Sequence, residues 1–275
     1  MASTAKPTSA GGARQPNHHA RNPLSRTLRH PAGLVAAGLS DGDNLPALEA
    51  VAARYSVAIT PDMAELIDPA DQGDPIARQF VPDPAELAST AEETRDPIGD
   101  DVHEVVPGLI HRYPDRVLLK FTSVCPVYCR FCFRREVVGK GGASSLSEAE
   151  LDAALDYVRA DPNIWEIIVS GGDPLIAAPR RIAELVKALA AIDHVSVVRF
   201  HSRVPIVAPE RITRDLVAAV QTSGATTWVA VHVNHPRELT DDARAAIGRL
   251  VDAGIPLVSQ TVLLRGVNDD ADTVS

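Results

Sequence analysis

All three cysteines of this chain lie within eight residues, at Cys125, Cys129 and Cys132. Structural thiols scattered through a fold would not group in this way, and an odd count of three does not suit a disulfide framework. Three thiolates at C-x3-C-x2-C spacing can hold three corners of an iron–sulfur cube and leave the fourth iron without a protein ligand. The sequence therefore predicts an iron–sulfur cluster with one open iron, where a small molecule can bind.

Two other interpretations of the cysteines stay open at this point. Buried thiols can act as small hydrophobic side chains, but Arg130 lies between these cysteines and Arg134 follows them. Zinc sites favour C-x2-C pairs completed by a fourth Cys or His, a role that His103 or His111 would have to fill. Because metal-binding thiolates need a reducing compartment, the cluster interpretation predicts a cytoplasmic protein.

Charge is unevenly distributed along the 275 residues, whose net charge is −9. The first 40 residues contain basic but no acidic side chains, so the rest of the chain is strongly acidic. Such an acidic body argues against a nucleic-acid-binding protein. Apolar stretches are interrupted before the ~18 residues that a membrane span requires, which predicts no membrane segment.

Five β-rich runs alternate with helical segments from Arg116 onward. They cover residues 116–124, 164–172, 196–204, 226–233 and 256–264. Amphipathic stripes lie between them, beginning with a capping box of Ser147 and Glu150. This β–α repeat predicts parallel strands joined by right-handed crossovers. A partial (β/α) barrel fits better than an open Rossmann sheet, because no G-x-G-x-x-G motif follows the first strand.

The chain divides by composition into three segments. Residues 1–30 are interpreted as a disordered leader, with an organelle transit peptide as the alternative. Residues 31–106 are interpreted as a helical extension with a proline-rich linker. Residues 107–275 form the predicted barrel core, which we expect to be incomplete at its C-terminal end because the fifth strand has no successor.

Polar clusters follow each predicted strand. The first strand leads into the cysteine loop, and the next three end at 170–174, 201–203 and 232–235, while the fifth holds Gln260. Because ligands of parallel barrels bind at the carboxyl ends of the strands, these clusters predict one composite site. Gly171 and Gly172 would allow a ligand close to the backbone. Asp173 can accept from a ligand ammonium or, alternatively, cap a turn.

Six sequence blocks, taken in order, resemble the lysine 2,3-aminomutase family of radical S-adenosylmethionine (SAM) enzymes. They are HRYPDRVLL, CRFCFRR, SGGDPL, HSRVPIVAPERIT, VNHPRELT and AGIPLVSQTVLLRGVND, spanning roughly residues 107–269. The cysteine spacing alone indicates only the superfamily, whereas the six blocks in this order are specific to the aminomutase family. The resemblance implies a radical SAM-type partial barrel with five of its six strands present.

The resemblance also implies a reaction and its cofactors. It indicates a pyridoxal-phosphate-dependent mutase that moves the α-amino group of L-lysine to C3 and so forms β-lysine. The cofactors would be a [4Fe–4S] cluster, S-adenosyl-L-methionine on its open iron, and pyridoxal 5′-phosphate, with a deoxyadenosyl radical removing hydrogen from C3 of lysine. Partners would be an amino-acid substrate and an electron donor such as flavodoxin or ferredoxin, and a homo-oligomer is left open.

Site roles follow from the match to the family's motifs, residue by residue. The resemblance implies that the cluster ligands are Cys125, Cys129 and Cys132. It implies that the methionine amine is contacted by Gly171, Gly172 and Asp173. It implies that Ser202, His232 and Gln260 lie at or near the nucleoside. It implies a segment near the pyridoxal phosphate, made of Arg112, Tyr113 and Arg116. Arg134 matches the arginine that pairs with the substrate carboxylate. The alternative for these arginines is charge beside a strand or beside the cluster.

One part of the family pattern is not found in this sequence. The family's pyridoxal lysine lies in a glycine-rich motif further on, together with the acidic residues that hold the substrate's side-chain amine. Lys140 directly follows the cluster loop and is interpreted as a surface residue. Two alternatives to a free-lysine mutase therefore stay open. One is a relative that makes (R)-β-lysine for elongation factor P, and the other is a truncated, catalytically silent iron–sulfur protein.

Overall fold

A seven-stranded mixed sheet forms the centre of the protein, and its strands are arranged in chain order. The computed structural model describes residues 23–141, 144–221 and 224–274. The strands are β1 (Glu104–Val106), β2 (Leu109–Tyr113), β3 (Arg116–Thr122), β4 (Glu166–Gly171), β5 (Val197–Ser202), β6 (Thr226–His232) and β7 (Leu257–Gln260). Strands β1 to β3 pair antiparallel, and β3 to β7 pair parallel.

Helices surround the parallel part of the sheet and fill the N-terminal extension. The extension contains α1 (Pro31–Ala36), α2 (Leu45–Arg54), α3 (Pro61–Glu65) and α4 (Ala77–Phe80). The core contains α5 (Glu148–Ala160), α6 (Pro179–Ala190), α7 (Val204–Val207), α8 (Arg214–Val220), α9 (Asp241–Asp252) and α10 (Ala271–Val274). The predicted partial barrel with an N-terminal helical extension is confirmed, and the sheet is not closed.

Local sequence explains the crossover helices. Ser147 and Glu150 form the predicted capping box at the start of α5. The stripe of α6, from Ile182 to Leu189, is buried against the sheet as its spacing predicts. In α9 the apolar spacing predicts a stripe of Ile247, Leu250 and Val251; Leu250 is buried together with Ala243 and Ala246, while Val251 is exposed.

An antiparallel hairpin at the start of the core was not predicted. Strands β1 and β2 meet at Gly108, whose φ of +81° suits a tight turn that other residues rarely adopt. Only the first two residues of β2, Leu109 and Ile110, are buried. Because two apolar residues do not establish a period-two pattern, the sequence carries little strand signal here.

The N-terminal extension packs onto the barrel through one continuous apolar core. Leu34, Ile59, Met63 and Phe80 of the extension belong to the same buried cluster as the sheet. Most of the predicted disordered leader lies outside the described residues. Its last part is ordered, because Leu28 is buried and exchanges backbone hydrogen bonds with Ile59. The division into three segments stays a prediction.

No helix among the described residues combines the length and the apolar character needed to cross a membrane.

Candidate cofactor site

A cavity of about 560 Å³ runs from the carboxyl ends of the parallel strands to Arg116 and Val117 at the start of β3. All thirteen residues to which the family resemblance assigns a site role line it. These are Arg112, Tyr113, Arg116, Cys125, Cys129, Cys132, Arg134, Gly171, Gly172, Asp173, Ser202, His232 and Gln260. The fold thus brings residues from six strands and the loops that follow β3 and β4 to one cavity, and their individual roles stay predictions.

Two parts of the cavity wall differ in character. The cluster wall consists of the cysteine loop 125–132, the turn 171–173 after β4, and Arg203 after β5. The arginine wall consists of Arg112, Tyr113, Arg116 and Arg134. The first wall is built from a loop and strand ends, and the second from the hairpin and the residues that follow the loop.

The cysteine loop is fixed by backbone hydrogen bonds on both sides. The N–H of Tyr128 donates to Ala58 O (3.1 Å) and that of Arg130 donates to Gln79 O (2.9 Å), so the N-terminal extension supports the loop. On the barrel side, the N–H of Asp173 donates to Val124 O (2.9 Å). The thiols are therefore held by rigid neighbours on either side of the loop.

The thiols themselves suit a multi-iron cluster. All three cysteines are free and line the same cavity. The described residues contain no group of three or more His, Cys, Asp or Glu side chains that could hold a metal ion. Three thiolates can each bind a separate iron of a cube, and this requires no fourth side chain.

Burial makes the free thiols poor acids. It raises the pKa of Cys125 well above its ordinary value and that of Cys132 to about 11. Burial also raises the pKa of Cys129, and this effect is opposed by the charge and hydrogen bond of Arg203 and increased by Glu238. Because desolvation disfavours the thiolates, a bound metal centre must supply the positive charge that stabilises them.

The two glycines after β4 are required by close backbone packing. Gly171 has a φ of +110°, and a Cβ at this position would lie against the carbonyl oxygen of Thr122. A Cβ on Gly172 would lie 2.7 Å from the backbone nitrogen of Val124, in the cysteine loop. The glycines therefore allow the turn and the loop to touch, which positions both around the cavity.

Asp173 is committed to internal hydrogen bonds. Its Oδ1 accepts from Ser202 Oγ (2.7 Å) and from the N–H of Leu175 (3.1 Å). Its Oδ2 accepts from the N–H groups of Arg203 (2.6 Å) and Val204 (3.1 Å). Four donors fill the acceptor positions of a carboxylate. The structure thus gives Asp173 the capping role, and a contact with a ligand ammonium would require one of these donors to be displaced.

Two neutral histidines line the cavity beside these groups. Burial, followed by the charges of Arg199 and Arg134, lowers the pKa of His201 to about 4. Burial, followed by the charge of Arg203, lowers the pKa of His232 to about 3. The His232 ring is stacked on Phe131, with centroids 5.6 Å apart. Each ring is therefore uncharged at neutral pH and offers both a donor and an acceptor.

The arginine wall is organised by carboxylates. Asp100 accepts from Arg134 Nε (2.8 Å), and a nitrogen of Arg112 lies 3.4 Å from its other oxygen. Arg116 donates to both oxygens of Asp115 (2.9 and 2.8 Å) and lies 3.3 Å from Glu166. No hydrogen bond joins the two terminal nitrogens of Arg134 to the described residues, whereas much of the charge of Arg116 is offset by Asp115 and Glu166.

Sequence reasoning missed the polar residues that support the site. Asp100 was placed in the linker, and Gln79, Arg203 and Glu238 received no role. Gln79 and Glu238 are fully buried although both side chains are polar. Arg203 was visible as one of the polar residues after β5, but nothing local indicates its partners, which lie 124 and 35 residues away along the chain.

Comparison with known proteins agrees with this geometry. The family model of the radical SAM superfamily matches residues 119–274, which is more than half of the chain. The chain belongs to the radical SAM superfamily. Membership of this superfamily implies a [4Fe–4S] cluster and S-adenosyl-L-methionine.

Curated relatives place the chain within the superfamily. It is 44% identical over 213 residues to the L-lysine 2,3-aminomutase of Clostridium subterminale, covering 78% of this chain and 51% of the relative. Identity to the L-lysine 2,3-aminomutase of Bacillus subtilis is 39% over 211 residues, covering 77% and 44% respectively. A putative L-lysine 2,3-aminomutase of Aquifex aeolicus is 39% identical over 220 residues, covering 80% and 59%. The predicted resemblance to the lysine 2,3-aminomutase family is confirmed, and the chain spans about half the length of these relatives.

Proposed function

We propose that this chain carries the cluster, the S-adenosyl-L-methionine site and part of the substrate site of a pyridoxal-phosphate-dependent mutase that converts L-lysine to β-lysine. The observation that supports this most is the single cavity that unites all thirteen residues selected from the sequence. The proposed reaction and substrate are those named for the relatives, and the cavity is the proposed site where the cofactors and the substrate bind.

The residues of the cluster wall fit a cluster and a sulfonium nucleotide. Cys125, Cys129 and Cys132 would bind three irons, and the glycine turn would lie against the methionine part of the ligand. Ser202, His232 and Gln260 would contact its nucleoside. When bound, these two groups supply a carbon radical by one-electron cleavage of the sulfonium, a chemistry that the protein orients but does not perform.

The chain's own residues would bind and orient the substrate. Arg134 is only 9% exposed, is held by Asp100 and lies over the ring of Phe133 (4.6 Å), so its free nitrogens are fixed for a carboxylate. A fixed guanidinium binds a carboxylate in two places and limits its rotation. Such orientation matters because the reacting hydrogen must lie within contact distance of the radical carbon.

Pyridoxal phosphate fits this site only in part. Arg112, Tyr113 and Arg116 offer two cations and a hydroxyl for a phosphate group. No lysine of the described residues lines the cavity; Lys120 pairs with Glu104 and Lys140 with Glu136. We therefore derive no covalent step through this cofactor. Treatment of the 275-residue chain with pyridoxal phosphate and borohydride should leave no pyridoxyl-lysine in the cavity.

Cluster binding is tested by anaerobic reconstitution of the purified chain. We expect about four irons per chain and brown protein in the wild type, and less than one iron in Cys129→Ala. Val137→Ala, which changes an exposed residue in the same segment, should keep the iron. Colourless wild-type protein with one zinc per chain would contradict the proposal.

The reaction is tested separately from the cluster. Reconstituted chain, dithionite, S-adenosyl-L-methionine, pyridoxal phosphate and L-lysine are incubated, and 5′-deoxyadenosine and β-lysine are measured by chromatography. Formation of β-lysine supports the mutase, and chiral analysis then separates the free-lysine enzyme from an (R)-β-lysine producer. Full iron content with 5′-deoxyadenosine but without β-lysine, even at saturating lysine, would reject mutase activity for this chain.

A further inference from the structure

Arg203 places a buried positive charge directly against one of the predicted cluster ligands. Its Nη1 donates to Cys129 Sγ at 3.0 Å. The residue is 5% exposed, and its Nε has no hydrogen-bond partner among the described residues. A buried guanidinium is costly unless it serves an anion. Cys129 supplies such an anion, because its thiol must lose its proton to bind iron.

A second charge lies on the opposite side of the same guanidinium. Nη2 of Arg203 donates to Glu238 Oε2 (2.6 Å) and to Gln79 Oε1 (2.6 Å). Glu238 is fully buried, and its Oε1 accepts from Gln79 Nε2 (3.0 Å) and from the N–H of His235 (3.0 Å). Arg203 is therefore held between a carboxylate at 2.6 Å and a cysteine sulfur at 3.0 Å, and it touches the sulfur directly.

Aromatic rings keep this arrangement away from water. The Arg203 guanidinium lies 4.5 Å from the ring of Phe80 and 5.6 Å from that of Phe131. Phe80 is 2% exposed. Because the surroundings are apolar and screened from solvent, the field of Arg203 and that of Glu238 both act strongly on the sulfur.

Reduction of an iron–sulfur cluster adds one negative charge to it. A nearby cation or a hydrogen bond to a ligand sulfur stabilises the reduced state and raises the potential, and an anion does the reverse. We propose that Arg203 raises the reduction potential of the cluster through Cys129 Sγ, and that Glu238 limits this effect by offsetting the charge of Arg203. Arg203 thus acts through Cys129 as a positioning residue, and it makes reduction of the cluster by a low-potential one-electron reductant more favourable. This inference rests on the proposed cluster.

The two residues should act with opposite signs, which gives a direct test. Reconstituted variants of the 275-residue chain are first assayed for iron, and those with about four irons per chain are titrated potentiometrically with dithionite. The reduced cluster is followed by electron paramagnetic resonance. Arg203→Gln should lower the equilibrium constant for one-electron reduction about tenfold, or 59 mV. Glu238→Gln should raise it several-fold, and Arg203→Lys should restore part of the loss.

A neighbouring ion pair, in which the arginine side chain is 40% exposed, supplies the control. Arg237 pairs with the fully buried Asp74 (2.8 Å) and also joins the N-terminal extension to the segment after β6. Arg237→Gln should leave the potential unchanged. Should Arg203→Gln fail to fold, an upward shift in Glu238→Gln still supports the proposal. Unchanged potentials in the iron-replete variants, or shifts in the same direction, would overturn it, whereas loss of iron from the wild type would instead reject the cluster.

Discussion

The cluster wall and the arginine wall enclose the same cavity but are prepared for ligands to different degrees. In the cluster wall, Asp173 and Arg203 are almost fully buried, and each is fixed by several short hydrogen bonds. In the arginine wall, Tyr113 is 57% exposed and the side chain of Arg116 is 35% exposed, with its charge shared between two carboxylates. The first wall is preorganised, and so is Arg134 of the second, whereas Arg116 must exchange carboxylate partners when an anion binds.

This difference has a physical cause in how each wall is built. The cluster wall lies between the barrel and the N-terminal extension, so both sides contribute to its burial. The arginine wall begins on the β2–β3 hairpin at the edge of the cavity, where the side chains of Arg112 and Arg116 are 31% and 35% exposed, while Arg134 is buried. Changes in the first wall should therefore alter stability and cofactor binding together, and changes in the second should alter binding with little effect on stability.

The largest effect is expected where the two parts of the cluster wall touch. Gly172→Ala would place a Cβ 2.7 Å from Val124 N, and the backbone there cannot move without shifting the cysteine loop. We expect the free energy of unfolding to fall by about 3 kcal/mol, measured by urea denaturation, together with loss of S-adenosyl-L-methionine binding. Gly248→Ala in α9 meets no atom within 4 Å and should be neutral or stabilising by about 0.5–1 kcal/mol. If both substitutions changed the free energy of unfolding equally, close packing of the backbone at Gly172 would not be the cause of the effect.

An intermediate effect is expected from the two buried histidines. The pKa of His201 (about 4) and that of His232 (about 3) both lie below the ordinary 6.5. Between these values and pH 6.5, the unfolded chain binds protons that the folded protein does not. Above pH 6.5 the two histidines therefore cause no loss of stability. As the pH falls from 6.5 towards their folded-state pKa values, the free energy of unfolding decreases.

Urea unfolding of the cluster-free chain from pH 7 to pH 4 measures this slope. His201→Gln should reduce the dependence of the unfolding free energy on pH by about 1 kcal/mol per pH unit, and His232→Gln should act similarly. Arg199 and Arg134 near the first ring and Arg203 near the second stay charged throughout. A slope that is the same in wild type and in both variants would show that the rings are not kept neutral by burial.

Sequence alone predicted the repeating parts of this molecule better than the contacts between them. The β–α period, the α5 capping box and the α6 stripe are local patterns, and the structure confirms them. The position of the cavity followed from the rule that parallel strands end on one side. The cysteine motif and the glycine pair were visible because each is a short run of unusual composition.

Residues without a local pattern were not predicted. Gln79 and Glu238 lie 159 residues apart and meet only in the folded protein, so no window of sequence relates them. Asp100 lies in a stretch of acidic and proline residues that is typical of a linker, and its role depends on Arg134, 34 residues further on. The sequence allowed two roles for Asp173, capping a turn or binding a ligand ammonium, and could not decide between them. The decision depends on hydrogen-bond donors from β5 and the residues after it.

The smallest effect on stability is expected in the arginine wall. Arg116→Gln removes a partly exposed ion pair, and Glu166 keeps Arg199 as a partner, so we expect less than about 1 kcal/mol of destabilisation. Binding of pyridoxal phosphate should weaken more than stability does, because the substitution removes a cation for the phosphate. It also leaves the negative charge of Asp115 without its arginine partner. Quenching of Trp165 fluorescence by pyridoxal phosphate should require several-fold more ligand, because Trp165 lies 5.8 Å from the Arg116 guanidinium.

Arg180→Gln is the matched control for this last change. Arg180 is also paired with a carboxylate, Glu184, but its side chain is 89% exposed on α6 and lies outside the cavity. It should leave both the quenching curve and the unfolding free energy unchanged. If Arg116→Gln instead destabilised the protein by as much as Gly172→Ala and left binding intact, the arginine wall would be a structural element like the cluster wall. The pyridoxal phosphate would then have to be placed elsewhere.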